Sequence, residues 1–134
     1  MSAHKILLPP GWRRPKGYTN GVSARGRMIF TAGIVGWDAE ERFTASGLAG
    51  QFKQILENTR AILAEDGAGP EHIVRMTCYV TSRDEYVSSL GEIGAAWRDI
   101  FGKTFPAMAV VEVSGLVEPK AKVEIETTAL VPDA

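Results

Sequence analysis

At 134 residues, 45% of them hydrophobic, the chain is long enough to close one core and leaves no room for a separate catalytic module. Its 15 basic and 16 acidic side chains give a formal net charge of -1, which excludes the strong electrostatic footprint of a protein built to grip nucleic acid or an anionic membrane. The apolar runs stop short of the roughly 20 residues a membrane span needs, and MSAHKILLPPGW breaks at its prolines too early for a secretory signal, so a soluble, cytoplasmic protein is expected.

Taken in chain order, VSARG (22–26) and RMIFTAGIV (27–35) read as two strands of a hairpin turned at Arg25-Gly26. A first helix begins near Ser46, carries Leu48, Phe52, Ile55, Leu56, Thr59, Ile62 and Leu63 at helical spacing, and stops at Gly67. VRMTCYVT (74–81) is the next strand. A second helix starts at Asp84 as N-cap, carries Tyr86, Val87, Leu90, Ile93, Ala96, Trp97, Ile100 and Phe101, and stops at Gly102. AMAVVEVSGL (107–116) and KAKVEIETTAL (120–130) complete the order β-β-α-β-α-β-β. With no repeat, low-complexity tract or Pro/Gly linker, residues 1–134 are expected to form one α+β domain, two helices covering one face of a mixed sheet.

Alternation sorts the faces. In the last strand Ala121, Val123 and Ile125 alternate with Lys122, Glu124 and Glu126, so the odd positions should meet the helices. The same sorting puts Val74, Met76, Cys78 and Val80 beneath the helices and Arg75, Thr77, Tyr79 and Thr81 on the opposite face, joined there by Ile29, Thr31 and Gly33. That second face is neither oily enough for a closed core nor charged enough for plain solvent surface, and an oligomer that buries it is expected.

Several chemistries are poorly served. Cys78 is the only cysteine and sits in a strand-like segment, where a small core residue is the expected role. His4 and His72 lack a partner at metal-ligand or catalytic spacing, so no metal site is expected. Arg13, Arg14 and Lys16, with Trp12 beside them, form a basic cluster that invites a nucleic-acid reading, but it is short and no RNA-binding motif accompanies it, so ribonuclease activity is the less expected alternative. TAGIVGWD lacks the spacing of a phosphate loop.

The segments PKGYTNGV, IFTAGIVGWD, HIVRMTCYVTSRDEY, FPAMAVVEV and KVEIETTAL, in this order over nearly the whole chain, resemble the Rid/YjgF family of reactive-intermediate deaminases. The resemblance implies a chorismate-mutase-like α+β fold, a homotrimer, and clefts between neighbouring subunits. It also implies hydrolysis of reactive enamines and imines to ketones and ammonia, without a cofactor.

Carried over residue by residue, the family's pocket tyrosine corresponds to Tyr18 and the glycine whose backbone lines the pocket to Gly33. The glutamate thought to position water corresponds to Glu124, and Val110 falls among the substrate-lining positions. Where the typical deaminases carry an arginine that clamps the substrate carboxylate, this chain has Met108. Imine hydrolysis needs water delivered to carbon and a proton for the leaving amine, which a carboxylate can manage. An α-imino acid also needs its own carboxylate recognised, and methionine has no donor. The resemblance therefore implies an imine or enamine other than the usual small α-imino acids, with a 2-aminomuconate-like compound as one class. Arg25, Arg27 or Arg75 of a neighbouring subunit are candidates to replace the missing anchor. Bland roles stay open: Glu124 as part of a solvated Lys/Glu alternation, Tyr18 as cover for a hydrophobic edge, Met108 as a gap-filler, and the whole as a non-catalytic ligand-binding or regulatory trimer.

Overall fold

The central strand is the one whose alternation is clearest. In a computed structural model that describes residues 3–133, β7 (Val123–Val131) runs through the middle of a five-stranded sheet. Its odd positions, Val123, Ile125, Thr127 and Ala129, are all buried beneath the helices. β5 (Ile73–Val80) pairs antiparallel with one edge of β7, and β6 (Ala107–Glu112) pairs parallel with β5, which makes the sheet mixed. Along the other edge of β7 lie β3 (Arg27–Phe30) and β4 (Ile34–Val35), both antiparallel. A separate two-stranded ladder joins β1 (Lys5–Ile6) to β2 (Val22–Ser23).

On the buried face lies α1 (Leu48–Ala64), which packs on β7, β4 and α3 (Leu90–Ile100). Leu48, Phe52, Ile55, Leu56 and Leu63 form the apolar stripe expected of α1 and close over Ile73, Met76, Cys78, Val123 and Ile125. Truncating Phe52 to alanine there would cost about 3–5 kcal/mol. Gly67, at φ +70°, ends the helix by letting the Ala68 amide donate to the Leu63 carbonyl at 3.0 Å. The expected α+β class and the helices on one sheet face are both present.

Three expectations about the strands are corrected. Residues 22–26 and 27–35 are not a hairpin: β2 pairs with β1, and Gly26, at φ +143°, presses against the end of β7, where an added Cβ would lie 2.6 Å from the Val131 carbonyl carbon. Ile29 belongs to the helix side, because it pairs with buried Ala129, while Met28 and Phe30 face outward. Between Phe30, opposite Thr128, and Ile34, opposite Ile125, β3 and β4 carry one more residue than β7 does, and this bulge reverses the parity so that Gly33 does face outward. A second bulge, between Ile73 and Arg75, buries Ile73 and leaves Val74 only half-buried.

The second helix is two. α2 (Arg83–Ser88) is capped by Ser82, whose hydroxyl accepts from the Glu85 amide at 3.1 Å, so Asp84 sits within the first turn and is not the cap. The helical path breaks at Ser89, where φ -101° and ψ 5° leave the α region before α3 begins. Val87, at that break, stays exposed.

Candidate functional site

Two separated groups of side chains hold the residues singled out in the sequence. The first lies at the free edge of β6. Thr19 is buried and bridges Ala107, its amide donating to the Pro106 carbonyl at 3.0 Å, and this holds Tyr18 beside the strand. Met108 and Val110 are in register with Met76 and Cys78, both fully buried, so their side chains lie on the helix side of the sheet. Tyr18, Met108 and Val110 thereby line one hollow of about 410 Å³ against α3.

The wall of that hollow is largely aromatic and aliphatic, including Tyr86, Leu90, Trp97 and Phe105. Trp97 is fixed from three sides: its indole N–H donates to the Thr104 carbonyl at 3.0 Å, Phe101 meets it edge-on at 4.9 Å, and Phe105 stacks on it at 5.9 Å. Burial pushes the Tyr86 phenol up to about 12, so it remains a neutral donor.

The second group lies on the open face. A Cβ added to Gly33 would fall 2.8 Å from Cδ of Glu124, so the carboxylate rests directly on the glycine backbone. Tyr79 stands opposite Glu124 in the β5–β7 ladder, and its hydroxyl donates to Glu126 Oε1 at 2.7 Å. That hydrogen bond first, then burial and the charges of Glu126 and Glu124, raise the Tyr79 pKa above its ordinary value. Tyr79 and Glu126 were not singled out in the sequence. Their outward positions on neighbouring strands were the available signal, but their pairing depends on register.

Within one chain, Met108 and Glu124 thus lie on opposite sides of the sheet. Of the basic residues considered as replacement anchors, Arg27 is committed to Asp66, pairing with its carboxylate and donating from Nη2 to its carbonyl at 3.2 Å. Arg75 is exposed on the open face opposite Thr128, and Arg25 is exposed before β3.

The remaining chemistry-bearing residues have structural placements. Burial raises the Cys78 thiol to about 12. His72 Nδ1 accepts from the Gly69 amide at 3.0 Å, closing the turn before β5, and His4 Nε2 donates to the His72 carbonyl at 3.1 Å. Among the described residues no three His, Cys, Asp or Glu side chains gather where they could hold a metal ion, and no helix is long and apolar enough to cross a membrane.

Comparison with known proteins adds the following. The profile of the family described as endoribonuclease L-PSP matches residues 13–131. A RutC family protein of Pyrococcus abyssi is 33% identical over 115 residues, covering 85% of this chain and 87% of its own. The 2-iminobutanoate/2-iminopropanoate deaminase of Salmonella typhimurium is 32% identical over 117 residues, covering 84% and 86%. Among solved structures, YyfB of Yersinia pestis, a protein of the conserved Rid family, superposes with a TM-score of 0.83 at 28% identity, over 96% of this chain and 98% of that one.

Proposed function

This chain belongs to the Rid/YjgF family, and from that premise we propose that it is a cofactor-independent hydrolase releasing ammonia from a reactive imine or enamine. The observation that carries the proposal is the Glu124 carboxylate lying on Gly33. An outward glutamate on a solvated strand would extend into water. This one lies against the bare backbone of Gly33, which holds the carboxylate on the open face where a small substrate and a water molecule could meet it.

In the proposed reaction Glu124 accepts a proton from water as the oxygen adds to the C=N carbon. The proton passes to nitrogen to give a carbinolamine; Glu124 then takes the hydroxyl proton and delivers it to the amine, the C–N bond breaks, and ammonia leaves as the carbonyl forms. Tyr18 supplies a hydroxyl beside the reacting atoms. An enamine enters the same sequence after protonation at carbon gives its imine.

The site we propose is completed by a second copy. Tyr18, Met108 and Val110 from one protomer would face Gly33 and Glu124 of the next in a homotrimer, because one chain holds these groups on opposite sides of its sheet. Support comes from the open face, where Met28 and Phe30 are 56% and 66% exposed on the outward side of β3. Since residue 108 offers no hydrogen-bond donor, the substrate proposed is not a small α-imino acid. A cytoplasmic setting is part of the same proposal.

Subunit complementation tests the reading. Tyr18→Ala and Glu124→Gln should each abolish turnover of an imine generated in place by an amine-producing or amino-acid-oxidising enzyme. Co-refolding the two inactive variants should restore about a quarter of native activity, because random mixing gives that share of clefts two intact halves. No recovery, with trimers re-formed, overturns the shared site; full activity of Glu124→Gln overturns the role of the carboxylate.

A further inference from the structure

The hollow beside Met108 is edged by three cations, Lys16, Arg98 and Lys103, and by no carboxylate. An adjoining hollow of about 520 Å³ shares Gly17, Tyr18, Lys103 and Phe105 with it, adds Arg14, and again has no acid in its wall. Among the described residues Arg27, Arg42, Lys53, Arg83 and Lys122 each pair with an Asp or Glu, while Lys5, Arg13, Arg25, Arg60, Arg75 and Lys120 do not; the recess differs in gathering several cations around one apolar wall that holds no acid. Arg14, Lys16, Arg98 and Lys103 make no such pair among the described residues. Arg98 does not simply reach into solvent. Its guanidinium folds back over Gly94, where an added Cβ would be 3.3 Å from Nη1, and Gly94 is itself part of the hollow's wall.

A chain of net charge -1 that gathers unpaired cations around an apolar recess creates a local positive potential that an anion of the right shape would neutralise. We propose that this recess takes a carboxylate-bearing ligand with a flat, unsaturated or aromatic body. The body lies against Tyr18, Met108, Val110 and Phe105, and Arg98 and Lys103 hold the carboxylate at the rim. The anion-binding role absent from position 108 is thereby moved outward. A carboxylate held at the rim stands away from the reacting carbon, so the substrate class is an imine or enamine whose acid group is separated from the C=N bond by a planar spacer. This assignment rests on the deaminase reading for the reaction, but the binding it describes is measurable without turnover.

The probes are trans-cinnamate and its neutral amide, titrated into the native protein and into Arg98→Gln/Lys103→Gln by calorimetry. Both side chains reach the surface, and circular dichroism confirms that the variant folds. Cinnamate should bind the native protein at least tenfold more tightly than cinnamamide. The double substitution should erase that preference while leaving amide binding unchanged, and added salt should reduce it in the native protein. Equal affinity for acid and amide in the native protein overturns the proposal, as does a preference that survives in the folded double variant. If cinnamate is preferred but no imine is hydrolysed, the deaminase reading falls and the anion recess stands. If imines are hydrolysed but charge makes no difference to binding, the reverse holds.

Discussion

Gly33 and Glu124 are in direct contact across the β4–β7 edge, with no space between the glycine Cα and the carboxylate for even one methyl group. Two features of the chain produce this contact. The bulge between β3 and β4 turns residue 33 to the open face, and its lack of a side chain lets the carboxylate of Glu124 settle on the backbone.

Gly33→Ala should therefore act on the reaction through Glu124. The new Cβ would overlap the glutamate carboxylate and force it to another rotamer, while the backbone at residue 33 has an ordinary φ that alanine adopts freely. Turnover should fall roughly 100-fold, the usual worth of a positioned acid/base group, with little change in melting temperature. Unaltered turnover in Gly33→Ala would show that the carboxylate need not rest there.

Assembly should depend on the outward side of β3. Phe30→Glu places a charge where an apolar ring is exposed in the single chain, and if that face is buried between copies the charge would be desolvated there. Sedimentation should show the native protein at trimer mass at micromolar concentration and the variant shifted toward monomer. A folded native monomer with full activity would remove the basis for a shared cleft.

The sequence made the layers legible because they depend on periodicity alone. The alternation of Val123, Ile125, Thr127 and Ala129 and the stripe from Leu48 to Leu63 are local patterns, and both survive in the fold. What escaped was register. The bulge at residues 31–33 and the one after Ile73 are decided by how two distant segments align, so alternation puts Ile29 on the wrong side and overstates the burial of Val74. The break at Ser89 is marked in sequence only by Gly91 two residues on, and a lone glycine is tolerated within a helix. For the site, residue types were recognisable, but the division of Met108 from Glu124 by the sheet emerges only from the parallel pairing of β6 with β5.

Glu85 and Cys78 act on stability at opposite ends of the pH range. Burial pushes the Glu85 carboxyl upward, but the Lys122 ammonium at 3.1 Å, the Leu48 amide at 3.1 Å and the lysine's charge more than offset it and hold the pKa below its ordinary value. A depressed carboxylate stabilises the fold above its unfolded pKa and loses that contribution as pH falls through the folded one. Glu85→Gln should lower stability at pH 7 by about 1 kcal/mol or less, since both partners are partly solvated, and the difference should shrink at a second, acidic pH below the ordinary carboxylate range. Urea titrations of both proteins at the two pH values measure it.

Cys78 behaves oppositely. Its thiol, raised by burial from 9.0 to about 12, keeps its proton in the native state where the unfolded chain would lose it, so stability falls as pH rises from 9 toward 12. At pH 8 the native thiol should resist iodoacetamide and react only after denaturation. Rapid labelling of the folded protein would mean that the strand under α1 opens far more often than its packing implies.

Met108 is where substrate class should change. It is half-buried on the helix side, against the aromatic wall that includes Trp97 and Phe105, and it offers a carboxylate nothing to hold. The native protein should hydrolyse the small imino acids formed from leucine or methionine slowly. Met108→Arg should raise that rate by tenfold or more, since a regained charged hydrogen bond is worth about 1.5–3 kcal/mol if it tightens in the transition state. The full gain is opposed by two features: the wall provides no acid to orient the new guanidinium, and Lys16, Arg98 and Lys103 already make the recess positive. The longer side chain should also fill the recess, so the same substitution should weaken cinnamate binding as it improves small substrates. Rapid turnover of small α-imino acids by the native protein would show that residue 108 does not set specificity.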